Sequence, residues 1–447
     1  MSAQPGAVAS RYTTLTPSVV PGTFLAYNVF TGALLELDEA DYRRLESWAE
    51  TAGAAAPRLP AKLWKRLSEA GMLVPADVDE RELLRDIRTQ ARANPDRLML
   101  TIAPTMQCNF RCTYCYETHR QEYMTPETEA DVIRFIGRKL MRVRAVNVTW
   151  FGGEPLLNPD CLERVQSFTN DYAAARDIAV SRNLVTNGYL LSLEIIARLQ
   201  ALGDWDVVQV TLDGLPEVHD VRRVLRSGRG TWRRIVDNCG RALEAGLPVN
   251  FRVNVDGRNL DTLPDLLDLL AAEGVLPEAG ISLGFVVDST DACSHVKADV
   301  LSERDRAKAA LRFDAELIRR GLAPATDLPG PVCGPICSVE SKLGYVIAPS
   351  GLIFKCWNQV DRGPDEAIGH VGGNEAPNAA AELARWEKYD PFARSGCFDC
   401  GAFPTCQGGC PWEAERLARP DRGECDSFRF YPRETIKVAH LGHRAAR

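Results

Sequence analysis

Eleven of the fourteen cysteines stand in tight groups. Cys108, Cys112 and Cys115 have the form C-x3-C-x2-C. Cys333, Cys337 and Cys356 follow far downstream, and Cys397, Cys400, Cys406 and Cys410 form C-x2-C-x5-C-x3-C, with Cys425 beyond. Grouped cysteines in a chain without a visible export signal argue for bound metal rather than disulfides. The first group is one ligand short of a structural zinc site, which takes four protein ligands. It suits three corners of a four-iron cluster whose last iron is open to something else, or a zinc site completed by His119. The run from Cys397 to Cys410 alone reads equally as a zinc ribbon. Cys161, Cys239 and Cys293 stand apart and read as ordinary buried or surface thiols.

Such ligands need a scaffold. From residue 97 strand and helix patterns alternate. Strands fit 97–103, 145–151, 178–185, 206–212, 248–255 and 281–287; helices fit 126–140, 159–174, 192–202, 232–245, 260–273 and 302–320. Six such units make an α/β domain over 97–322 with a parallel sheet, either doubly wound or curved into a partial barrel. These folds bind ligands at the carboxyl ends of their strands, and polar motifs fall there. Gly152-Gly153-Glu154-Pro155 follows the second strand, Thr186-Asn187-Gly188 the third, and Thr211-Leu212-Asp213-Gly214 the fourth. Arg252 and Asn254 alternate on the fifth strand and so share a face; Asp288 ends the sixth. For Asp213, Arg252 and Asp288, a salt-bridge network and contact with a ligand are both open readings. His219, Asp220, Arg222 and Arg223 read as a solvated helix start, with contact to substrate the alternative.

Upstream, residues 1 to about 15 read as a loose tail. Strands at 23–29 and 33–37, helices at 39–50 and 60–70 and a strand at 72–75 suggest a winged-helix-like domain over 16–75, joined by a linker helix within 76–96. Residues 323–331 are linker by composition. Residues 331–430 are rich in Cys, Gly and Pro, with a hairpin over 344–356, and need disulfides or metal to hold them. Hydrophobic residues make up 45% and charged residues 25% of the chain, which excludes a disordered or fibrous protein. A net charge of −7 argues against a nucleic-acid partner. The absence of a long apolar run argues against a membrane partner, and the lack of a signal peptide points to a cytoplasmic protein.

Together these motifs resemble the radical S-adenosylmethionine (radical SAM) enzymes with a C-terminal SPASM domain, of the peptide-modifying maturase type. The resemblance implies a partial (β/α)6 TIM-like barrel and three 4Fe–4S clusters. Cys108, Cys112 and Cys115 would hold the first, with S-adenosylmethionine on its open iron. Tyr114 would lie near the adenine, Gly152, Gly153 and Glu154 at the methionine amino group, and Asn187 and Thr211 at the ribose and methionine. Cys333, Cys337, Cys356 and Cys410 would hold one auxiliary cluster; Cys397, Cys400, Cys406 and Cys425 the other. The implied activity is reductive cleavage of S-adenosylmethionine to a 5′-deoxyadenosyl radical that abstracts hydrogen from a precursor peptide, giving a crosslink or an oxidised residue. An external low-potential electron donor would supply the electron, and the N-terminal domain would receive the peptide's leader. Two alternatives stand beside this: a formylglycine-generating sulfatase maturase, whose proposed base is an Asp where this chain has Trp357, and a non-catalytic iron–sulfur electron carrier.

Overall fold

The apolar runs that alternate with helices from residue 97 onward form six strands: β1 (Arg97–Ile102), β2 (Ala145–Trp150), β3 (Ala179–Thr186), β4 (Val207–Thr211), β5 (Val249–Val255) and β6 (Gly280–Phe285). The structure is a computed structural model and describes residues 6–49, 59–323, 328–331, 337–416 and 425–445. The six strands lie side by side in chain order, and every neighbouring pair is parallel. A doubly wound sheet reverses its order at a switch point; this one does not. That selects the singly wound arrangement of a partial barrel.

The connecting helices start where their sequences say they should. Thr125 accepts a hydrogen bond from Thr128 N at the head of Pro126–Leu140, and Ser192 does the same for Ile195 N at the head of Leu193–Ala201. Each helix buries one stripe, such as Val132, Phe135, Ile136 and Leu140 in the first. The predicted hairpin also forms. Its strands β7 (Gly344–Ile347) and β8 (Leu352–Phe354) extend the sheet beyond β1, β7 running parallel to β1, and β9 (Gly369–His370) closes the edge. Gly351 turns it with φ +86°, which a side chain would resist.

The chain forms two compact units whose boundaries differ from the linear domains expected. One comprises Arg92–Leu301 and Pro335–Tyr389, the barrel with the first part of the Cys-rich stretch. The other comprises Met1–Ala91, Ser302–Gly334 and Asp390–Arg447.

In the second unit, Thr13–Pro17, Phe24–Asn28 and Ala33–Leu37 form a three-stranded antiparallel sheet, followed by helices Glu39–Ala49 and Ala61–Glu69. The returning strand Leu73–Pro75 pairs with Ala7–Ala9, not with this sheet, so the winged-helix order is not reproduced. Residues 7–15, within the stretch read as a loose tail, are thus largely strand: short runs like Ala7–Ala9 show no period, and their partners lie far along the chain. Phe24–Asn28 alternates between two cores. Ala26 faces Leu37, Tyr42, Leu63 and Leu67, whereas Leu25 and Tyr27 face Leu84, Phe403, Phe428 and Ile436. No helix among the described residues is long and apolar enough to cross a membrane.

Candidate active site

The chain leaves β2 through Gly152 and Gly153. A Cβ on Gly152, whose φ is +119°, would meet Thr105 O at 2.5 Å; one on Gly153 would meet Gln107 O at 2.5 Å and Met106 O at 2.6 Å. Both glycines thus let the chain pack closely on the 105–107 turn that leads into Cys108, and Gly153 N and Glu154 N donate to Thr105 O and Gln107 O.

Glu154 is fully buried. Its Oε1 accepts from Leu156 N (3.0 Å) and Thr186 Oγ1 (2.8 Å), and its Oε2 from Asn187 N (2.8 Å). Burial pushes its pKa up, while these donors draw it back. The carboxylate therefore braces the end of β2 to the end of β3. Asn187 continues the brace: its Nδ2 donates to Asn109 Oδ1 at 2.7 Å and stands 3.9 Å from Cys108 Sγ.

The cysteine loop follows β1. Phe110–Cys112 pairs antiparallel with Arg223–Leu225, setting Cys112 opposite Arg223. Burial and then neighbouring negative charge push the Cys108 thiol up to about 12; burial raises Cys112 and Cys115 as well. Three such thiols ionise together only beside a strong positive charge, which a bound metal supplies. Arg223 is buried; its Nη1 donates to Tyr114 OH at 2.8 Å, but its Nε has no hydrogen-bond partner. A buried unpaired N–H beside these thiols fits an anionic group of a bound ligand. Among the described residues, no three His, Cys, Asp or Glu side chains are gathered to hold a single metal ion.

A second network closes the site at β4 and β5. Asp213 is fully buried. Its Oδ2 accepts from Arg222 Nε (3.3 Å) and its Oδ1 from Asn254 N (3.3 Å), while Arg222 Nη1 donates to Asp256 Oδ2 (2.7 Å). Asp213 and Asp256 thus share Arg222 in a buried ion-pair network. The solvated helix start is overturned: His219, Arg222 and Arg223 are all buried. Helix Pro216–Arg222 is too short for periodicity to tell inside from outside. The available signal was a His and two Arg within ten residues of a strand-end Asp.

His219 Nδ1 accepts from Asp213 N (3.1 Å), and its Nε2 lies 3.0 Å from Thr231 Oγ1, which in turn donates to Arg223 O. Burial, then Arg223 and Arg222, hold its pKa well below the usual value. Asp220 caps helix Trp232–Glu244, accepting from Thr231 N and Trp232 N.

Tyr114 joins the two networks. Its hydroxyl also accepts from Asn254 Nδ2 (3.1 Å), and the Arg222 guanidinium lies 5.1 Å from its ring centre. Arg252 and Asn254 do share a face of β5, and Arg252 Nε donates to Asn254 Oδ1 at 3.0 Å. Thr211 is buried at the end of β4, in register with Arg252. Asp288 is half-buried, three residues past β6. Sequence reasoning passed over Glu117 and Asp361, which belong to no motif. Both are buried, Thr118 N donates to Asp361 Oδ2 at 2.9 Å, and burial, then Asp361, pushes Glu117 up to about 8.

In the Cys-rich stretch, the hairpin carries Cys356 back towards Cys337: Ser338 Oγ donates to Lys355 O at 2.8 Å. Cys333 lies outside the described residues, and Cys410 belongs to the other unit. There, Cys397, Cys400, Cys406 and Cys425 line one small cavity together with Ala402, Asp426 and Arg429.

Residues 102–270 match the family model of the Radical SAM superfamily. The serine-type anaerobic sulfatase-maturating enzyme of Klebsiella aerogenes is 24% identical over 333 residues, covering 70% of this chain and 79% of that protein. The structure of native anSMEcpe with bound AdoMet and Cp18Cys peptide superposes with a TM-score of 0.62 at 16% identity, covering 78% of this chain and 100% of that one. The structure of Streptococcus suis SuiB bound to precursor peptide SuiA does so with a TM-score of 0.54 at 13% identity, covering 94% and 99%. Several curated relatives match over between 38% and 40% of this chain, which spans between 40% and 59% of their length.

Proposed function

We propose that this chain, which carries a radical SAM domain over residues 102–270, is a radical SAM enzyme that modifies a ribosomally made precursor peptide. The observation that carries the reading is the three-thiol loop after β1, with the unpaired Nε of Arg223 beside it. When bound, a reduced 4Fe–4S cluster on Cys108, Cys112 and Cys115 supplies the electron that cleaves S-adenosylmethionine to the hydrogen-abstracting 5′-deoxyadenosyl radical. Arg223 receives the methionine carboxylate through its free N–H. Glu154 and Asn187 hold the cysteine loop in place from behind, and Asp213 with Arg222 fixes Tyr114 and Asn254 at the strand ends. Arg252 and Asp288 are candidates for contact with the substrate. Cys397, Cys400, Cys406 and Cys425 hold one auxiliary cluster; Cys333, Cys337, Cys356 and Cys410 hold the other. An external low-potential donor reduces the first cluster.

A peptide leader adds to the sheet of the N-terminal unit as an edge strand. Arg66 donates to Glu36 O at 2.6 Å, so Glu36 turns its backbone outward, and Leu34, two residues before it, does the same. Conversion of Cys or Ser to formylglycine is the second reading, favoured by the long match to a sulfatase-maturating enzyme. Against it, Trp357 stands at the position of the expected base and packs on Phe151 with ring centres 4.7 Å apart.

The test is anaerobic reconstitution with iron and sulfide, then incubation with S-adenosylmethionine, a low-potential reductant and candidate peptides. Formation of 5′-deoxyadenosine and a peptide mass change supports the reading. Fully iron-loaded protein that cleaves no S-adenosylmethionine overturns it, and peptide gaining an aldehyde in place of Cys or Ser selects the second reading.

A further inference from the structure

The cavity formed by Cys397, Cys400, Cys406 and Cys425 has one cationic side chain among its described lining residues, Arg429. Arg429 Nη1 lies 3.2 Å from Cys425 Sγ and donates to it. The residue ends the short turn Ser427–Arg429, which is held at both ends: Asp426 accepts from Phe428 N at 2.8 Å, and Phe428 is buried in the core shared with Leu25, Tyr27 and Phe403. The guanidinium is thus held beside Cys425 by the hydrogen bond to its Sγ, on a turn anchored in the core. Two carboxyl groups lie close by and act in the opposite sense. Asp426 lines the same cavity, and Glu303 Oε1 accepts from Cys425 N at 3.0 Å.

Resting on the reading of these four cysteines as cluster ligands, we infer that Arg429 is a positioning residue that sets this cluster's reduction potential. Adding an electron to a thiolate-ligated cluster adds negative charge, and a fixed cation with an N–H bond to a ligand sulfur favours that reduced form. Arg429 therefore raises the potential above what the sulfurs and the two nearby carboxyl groups would set. It suits this cluster to accepting electrons more than to delivering them.

The experiment is an EPR-monitored redox titration of the reconstituted full chain in a Cys108/Cys112/Cys115→Ala background. The signal lost in a further Cys397→Ala/Cys400→Ala variant belongs to this site. Arg429→Met should retain that signal and its iron while lowering the reduction equilibrium constant at least tenfold, which is about 59 mV for one electron. Arg429→Lys, which keeps the charge, should recover part of the loss. If Arg429→Met sheds the site's iron, Arg429→Gln takes its place, with a shift of the same sign expected. An intact cluster whose midpoint is unchanged in the Met or Gln variant overturns the role of Arg429 and leaves the cluster reading standing. If the Cys397→Ala/Cys400→Ala variant loses neither iron nor signal, the cluster reading itself fails, and the inference with it.

Discussion

At the scale of single residues, Arg223 is the proposed contact for the methionine carboxylate, and Glu154 braces the end of β2 to the end of β3. Arg223 is buried with a free Nε. Replacing it with Met should weaken S-adenosylmethionine binding by roughly 1.5–3 kcal/mol, the usual loss for a charge-assisted hydrogen bond. Isothermal titration checks this, with iron content unchanged; equal affinity would remove Arg223 from the ligand site. Glu154 has donors on both carboxylate oxygens. A Gln there sets an amide NH2 against the backbone N–H of either Asn187 or Leu156. Glu154→Gln should therefore cost about 1–3 kcal/mol of stability, as a buried donor left unpaired does, read from its urea midpoint. Full stability with lost S-adenosylmethionine affinity would return the carboxylate to the ligand.

At the scale of elements, the segment after β4 is as important as the cysteine loop it pairs with. His219 holds the end of β4 to the head of the next helix in its neutral form, and its pKa is lowered by burial, then by Arg223 and Arg222. The unfolded chain then binds a proton below about pH 6.5 that the folded chain refuses. Stability should fall as pH drops through that range, by up to about 1.4 kcal/mol per pH unit for this one group. His219→Asn keeps an acceptor for Asp213 N but does not titrate, so it should lose that part of the slope. Denaturant unfolding of both proteins between pH 7 and pH 5 measures the difference; parallel curves would place the acid sensitivity elsewhere.

At the scale of the whole molecule, the three proposed 4Fe–4S clusters predict about twelve irons per chain after anaerobic reconstitution. Replacing Cys108, Cys112 and Cys115 together should leave about eight. The division into units changes how the N-terminal segment can be tested. Leu25 and Tyr27 share a core with Cys397, Phe403 and Phe428, so deleting residues 16–75 would strip the wall from an auxiliary cysteine site. A proline on the outward edge is the cleaner probe. Leu34→Pro removes an N–H available to an added strand and should weaken precursor affinity about tenfold or more, with iron content retained. Equal affinity would make the unit a cap and not a receptor.

Much of this was legible in the sequence because the signals are local. The six strands and the helices between them follow from apolar periodicity, and helix starts such as Thr125 and Ser192 follow from capping chemistry. The cysteine groups follow from ligand spacing, which needs no fold to be seen. What the tertiary structure decided depends on partners distant in sequence. Ala7–Ala9 becomes a strand only because Leu73–Pro75 reaches it. Gly152 and Gly153 make room for residues 105–107 of the chain itself, a close approach that spacing cannot reveal. His219, Arg222 and Arg223 look solvent-loving by type, yet Asp213, Asp256 and Tyr114 meet their charge and hydrogen-bonding needs inside the barrel mouth. Residue type and period are properties of a few neighbours along the chain, whereas burial and hydrogen-bond satisfaction are properties of what folds against them.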